Sequence, residues 1–214
     1  MPTIGAGVLA ALFYAVVAGH VAAPFTERPV VRILVQSKGT TLDRSVLAEI
    51  VNTAAEIWRP YADVTFDLSD DASDSARTLR LVVTDSVSTV SDSASLGWIE
   101  FVDGRPGTVI TVSTGAAAAL LKASRWNGVP RTVQRTFLIR AMGRAIAHEL
   151  GHYLLASRDH APHGLMRGQL TADDIMLPRR SGYRLDRAQI QSLQRRALMA
   201  RGSESGEAAD TVLP

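Results

Sequence analysis

Cysteine is absent from the chain, which excludes thiol nucleophiles, disulfide staples and thiolate-ligated metal. Any metal site must therefore be assembled from histidine and carboxylate. Charge of one sign is also lacking. The 23 Lys and Arg residues stand against 21 Asp and Glu, for a formal net charge of +2, and the basic residues are spread along the chain. That balance argues against a dedicated nucleic-acid surface. No glycine-rich phosphate loop, G-x-S-x-G nucleophile elbow or internal repeat occurs, so the motifs of P-loop and serine-hydrolase chemistry are missing. The 214 residues, 46% of them hydrophobic, suffice for one domain of ordinary size with a real core.

Histidine is scarce but concentrated. Four of the five (His148, His152, His160 and His163) fall in one stretch that begins His148-Glu149-Leu150-Gly151-His152 inside an apolar, helix-compatible run. Positions four apart lie on one face of an α-helix, about one turn from each other. His148 and His152 can thus direct two imidazole nitrogens at one metal ion. Glu149 is placed to take a proton from a metal-bound water rather than to ligate. A catalytic zinc needs a third protein ligand and keeps the fourth position for water. The competing reading is a buried helix whose histidines pair with carbonyls or carboxylates, and the clustering weighs against it.

Together with Gly164-Leu165-Met166 and the downstream segment Gly182-Tyr183-Arg184-Leu185-Asp186, these residues resemble a metzincin-type zinc peptidase of the matrixin-like branch. In that family HExxHxxGxxH is followed by a turn whose methionine lies beneath the metal, and Met166 stands at the matching distance from His152. The wider wording is also similar to a group of short bacterial secreted HExxH proteins. The chain departs from the family in the middle of the motif. Leu155 occupies the place of the family glycine and Arg158 that of the third histidine, and arginine stays protonated and cannot ligate zinc. His160 is the preferred third ligand, because the segment from Ser157 to Pro162 can fold back under the metal. His163 and Asp159 are the alternatives. Met176 competes with Met166 for the methionine turn, although a core methionine is its simpler reading.

The resemblance implies an α/β (α+β), metzincin-like zincin domain: a twisted mixed sheet with an active-site helix and a C-terminal helix. It implies one catalytic Zn2+ held by His148, His152 and His160. The reaction implied is zinc-dependent peptide-bond hydrolysis by a metalloendopeptidase, with Glu149 activating the zinc-bound water. The partner implied is a peptide or protein substrate, with no nucleic acid. Tyr183 could stabilise an oxyanion, although a packed tyrosine with a hydrogen-bonded hydroxyl is the simpler reading. The alternative function is a catalytically inactive, zinc-stabilised binding module on the same fold, exported or membrane-tethered.

Taken in order, residues 4–18 are apolar without a charge and are followed by small residues up to Ala23. Residues 1–23 thus read as a signal peptide or, if uncleaved, as a membrane tether through residues 4–23. The expected location is secreted, periplasmic or cell-envelope. The domain spans 24–201. Its expected elements are a strand at 29–36, a helix at 41–58 capped by Thr40 or Thr41, and strands at 63–68 and 78–84. A hairpin follows at 96–102 and 108–112, with its turn at 103–107. Residues 96–101 are the expected edge strand beside the metal. A short helix at 116–123, the active-site helix at 132–155 and a last helix at 186–201 complete the domain. Residues 69–76 and 86–95 read as Asp/Ser-rich loops, and 202–214 as a disordered tail.

Overall fold

The computed structural model describes residues 28–69, 78–86, 95–123, 128–169, 171–176 and 180–207. The N-terminal segment read as a signal or tether lies outside the described residues, as do most of the two Asp/Ser-rich stretches. The elements in order are β1 (Val30–Lys38), α1 (Arg44–Trp58), β2 (Asp63–Asp67), β3 (Leu79–Thr84), β4 (Gly97–Val102), β5 (Arg105–Ser113), α2 (Thr114–Lys122), α3 (Arg131–Leu155), α4 (Ala172–Met176), a 3-10 turn (Arg180–Tyr183) and α5 (Arg187–Glu207). They build a five-stranded mixed sheet in the order β2-β1-β3-β5-β4. The β1–β2, β1–β3 and β3–β5 pairs are parallel, and β4 runs antiparallel to β5 at the edge.

Side chains of a strand alternate between its two faces, and here one face carries the core. Ile33, Val35, Leu79, Leu81, Val83, Ile110 and Val112 are buried in one cluster with residues of α1 and α3. Arg32 is exposed and Arg80 and Thr111 are half-buried on the opposite face. Helix α1 contributes Val46, Leu47, Ile50, Val51, Ala54 and Trp58 to the core. Its last residue reaches furthest: the Trp58 indole N–H donates to the Ala147 carbonyl of α3 at 2.9 Å. α1 and α3 approach closely at Gly143, where a Cβ would stand 2.6 Å from the Thr53 side chain and 2.9 Å from the Ile50 carbonyl.

Three local features differ from the sequence expectation. Helix α1 starts at Arg44 after Asp43, which makes no side-chain cap bond. Thr40 Oγ1 instead accepts from the Leu42 amide at 3.3 Å, a local turn that competes with capping. The hairpin turn contracts to Asp103-Gly104, with φ of 50° and 75°, because two left-handed residues match the twist of the flanking strands. The last helix runs on to Glu207, past the expected end at Arg201.

Candidate metal centre

The site is built on the C-terminal half of α3, where every residue from Ala141 to His152 is buried. Small residues at Ala141, Gly143, Ala145 and Ala147 let the helix lie close to its neighbours. His148 and His152 leave one face together, as the four-residue spacing requires, with ring centroids 4.7 Å apart. Each ring is oriented by a backbone carbonyl. His148 Nδ1 lies 2.9 Å from the Leu165 oxygen, and His152 Nδ1 lies 2.7 Å from the Ser157 oxygen. A carbonyl only accepts, so both Nδ1 atoms carry the proton and both Nε2 atoms present lone pairs. Those two Nε2 atoms face each other at 3.1 Å. Neither has a proton to donate, so the contact is a convergence of lone pairs that a cation would relieve.

The end of α3 positions the third histidine. Ala156 adopts the left-handed conformation (φ 47°, ψ 44°), and its N–H reaches the carbonyls of His152 and Tyr153. The Ser157 N–H returns to the His152 carbonyl at 3.3 Å, which closes the helix in the manner of a C-terminal capping turn. The family glycine would serve this reversal. Here Leu155 remains helical and an alanine one residue later makes the turn. The chain then folds back through a bridge between Ala161 and Arg167, with the Ala161 N–H on the Met166 carbonyl at 2.7 Å. His160 lands against the pair, stacked on His148 at 5.2 Å and edge-on to His152 at 5.0 Å. One nitrogen from each of His148, His152 and His160 lies within 4.8 Å of the others. The fold thus brings these three side chains together.

The runners-up do not join them. His163 is not among the side chains whose ligand atoms converge, and Asp159 turns to Ser157, whose hydroxyl donates to its carboxylate at 3.0 Å. Arg158 has a different task from the one its alignment position suggests. Its guanidinium donates to the Phe101 carbonyl at 3.0 Å and lies 4.8 Å from the Phe101 ring centroid. It thereby ties the loop carrying His160 to edge strand β4, while the Phe101 ring stands edge-on to His152 at 6.5 Å. Strand β4 therefore runs beside the site. At Gly97 a Cβ would stand 3.0 Å from Cγ of Glu149, so the glycine lets the carboxyl-bearing side chain sit against the strand.

Met166 is fully buried under the helix, and a Cβ on Gly151 would stand 2.2 Å from its Sδ. The close neighbour that this glycine admits is the methionine side chain. The same turn presents the Leu165 carbonyl to His148, so Gly164-Leu165-Met166 both fills the space below the site and orients a ligand. Tyr183 is the packed tyrosine of the simpler reading: its hydroxyl donates to the Asp174 carbonyl at 3.2 Å. Met176 closes the short helix α4.

Electrostatically the pocket disfavours charge. Burial pushes Glu149 up to about 8. His148 is held down at about 4, chiefly by burial, against the raising effect of its bond to Leu165. Burial also lowers His152. All three shifts come chiefly from desolvation; a dication would offset the rise at Glu149 and would take the place of the proton that burial already keeps off the two imidazoles. Zinc bound to two nitrogens at 2.0–2.1 Å in tetrahedral geometry sets them about 3.3 Å apart. The observed 3.1 Å, the fixed tautomers and the nearby third imidazole fit that ion.

Solved structures similar to the chain include the following two. An archaemetzincin from Methanopyrus kandleri shares 16% identity over 83% of this chain and 99% of its own, with a TM-score of 0.47. A zinc-dependent peptidase from Methanocorpusculum labreanum shares 12% identity over 76% of this chain and 99% of its own, with a TM-score of 0.50. The chain shares the mixed α/β fold of the second of these. No protein-family model and no curated protein matches the chain. Local spacing in the sequence pointed to His148, His152 and Glu149, and chain reach to His160. It carried no signal for the Ser157 and Leu165 carbonyls, for Gly97 against Glu149, or for the Arg158 tie to β4.

Proposed function

We propose that this chain is an exported zinc-dependent metalloendopeptidase of the matrixin-like kind, with one ion held by His148, His152 and His160. The observation that carries the reading is the pair of facing Nε2 lone pairs, each tautomer held by a backbone carbonyl, with a third imidazole alongside. Zinc in that position supplies Lewis acidity to a scissile carbonyl and lowers the pKa of water. Glu149 adjoins the first ligand and is buried. It takes the proton of the attacking water and returns it to the leaving amine. Among the described residues strand β4 pairs with β5 alone, and its outer edge beside the site can accept an extended peptide as an added strand, with backbone hydrogen bonds giving affinity. The likeness to the zinc-dependent peptidase from Methanocorpusculum labreanum supports the same reading.

The test is zinc stoichiometry of the full chain, followed by turnover of an unbiased peptide library by the unmodified protein and by Glu149→Gln. Bound zinc should be retained in both, with cleavage reduced about 10²–10⁴-fold in the variant, the usual worth of a positioned general base. A chain that takes up no zinc refutes the proposal. Zinc binding without any loss of cleavage in Glu149→Gln removes Glu149 from the mechanism, and zinc without cleavage in either protein points to the binding-module alternative.

A further inference from the structure

A second concavity opens between α1, α3 and the chain segment that precedes α5, with a volume of about 650 Å³. Sites for small organic molecules fall in this size range. None of the three histidines, nor Glu149, lines it. Its charge is unbalanced: Arg140, Arg144 and Arg184 face it against a single acid, Glu56. Arg140 and Arg144 are four residues apart on α3 and so share one helix face.

The walls are held in place by contacts of their own. Arg144 is only 5% exposed, donates to the Asp174 carbonyl, and sits 4.1 Å over the Tyr183 ring. The Tyr183 hydroxyl donates to the same carbonyl. On the other side the Leu185 N–H donates to the Tyr61 hydroxyl at 3.3 Å. Ile57 and Pro60 give one part of the lining an apolar character. A preformed cavity of this kind loses little order on binding. Burial is the main reason the Arg144 guanidinium is less basic than usual, and the neighbouring Arg140 charge acts in the same direction. An anion between the two would relieve both effects. The guanidinium fork suits planar or tetrahedral oxyanions, which it can grip through two parallel hydrogen bonds.

We propose that this cavity binds a small organic oxyanion, a phosphate or carboxylate carried on an apolar body, with Arg140, Arg144 and Arg184 around the anion and Ile57 and Pro60 along the body. The proposal is independent of zinc and of peptidase activity.

It is tested on the full chain with chelator present, so that no metal ion competes for the probe. The probes are phenyl phosphate, phenylacetate and the neutral benzyl alcohol, followed by ligand-observed NMR and calorimetry. At least one of the two anions should bind saturably, with benzyl alcohol about tenfold weaker or more. The double variant Arg140→Gln, Arg184→Gln should weaken anion binding about tenfold or more in protein that circular dichroism shows to be folded. Arg195→Gln, Arg196→Gln, at exposed positions on α5, should leave binding unchanged. If the first double variant does not fold, Arg184→Gln alone, at an exposed position, carries the test with a loss of about threefold or more. The proposal is overturned if neither anion binds by about 10 mM, if benzyl alcohol binds as well as the anions, or if binding survives the cavity substitutions.

Discussion

Replacing Gly151 by alanine probes the packing beneath the histidines. Alanine is favoured over glycine inside a helix by about 1 kcal/mol, so an isolated α3 would gain. In the folded protein the added Cβ would stand 2.2 Å from Met166 Sδ, 3.0 Å from its Cε and 3.5 Å from Trp58 Cζ2. Ordinary contacts lie near 3.5 Å, so the methionine must retreat by about 1.3 Å. It has little room to do so, since Met166 and Leu165 are each 1% exposed and Trp58 is fully buried. Overpacking of this kind costs about 1–3 kcal/mol. Methionine is flexible, which sets the figure near the middle and leaves a net loss of about 1 kcal/mol. Met166→Ala alone should cost about 2–5 kcal/mol through the cavity it leaves. In that background the Gly151→Ala methyl enters vacated space, and the substitution should change sign and stabilise by up to about 1 kcal/mol. Urea unfolding of the four proteins in chelator, followed by tryptophan fluorescence, measures this cycle. If Gly151→Ala stabilises the unmodified chain, or has the same effect in both backgrounds, then the close approach of Met166 is wrong.

Other perturbations separate the remaining parts. His160→Ala should weaken zinc binding by about tenfold or more while His163→Ala leaves it unchanged, as read by competition with a fluorescent chelator. Ala156→Gly should stabilise the protein by about 1 kcal/mol, because the residue already holds a left-handed conformation that a Cβ disfavours; a loss of stability would show the turn to be differently built. Burial pushes the Asp174 carboxyl up, but hydrogen bonds from Thr171 and Arg167 outweigh it and leave it below its ordinary value of 3.8. A depressed carboxyl stabilises the fold above its unfolded value and loses that contribution as pH falls through the folded one. Asp174→Asn should therefore cost about 1 kcal/mol at neutral pH, with the gap to the unmodified protein closing below pH 3.8.

Much of the molecule was legible from local pattern. A β-branched apolar run found the strand at 29–36 and alternation the one at 63–68, and the periodic residues Val46, Ile50 and Ala54 found α1, because these signals arise from burial. The two helix histidines and Glu149 were legible because a metal imposes its geometry on a fixed helical spacing. His160 was reached by an argument about chain reach, which the Ala161–Arg167 bridge makes concrete. The strand order was not readable, since nothing in β1 itself says that β2 and β3 flank it. Helix α1's cap was misplaced because Thr40 found a nearer partner. Arg158 was assessed only as a ligand and dismissed, and its contact with Phe101, 57 residues away, has no local signature.

The orientation of His148 and His152 rests on two main-chain oxygens, and a carbonyl has no residue identity. Ser157 is half-buried, and any side chain that leaves its backbone path intact supplies the same acceptor to His152. The imidazole tautomers are thus held by the course of the chain rather than by a carboxylate that one substitution could delete. The surrounding residues can change while the two lone pairs keep their aim.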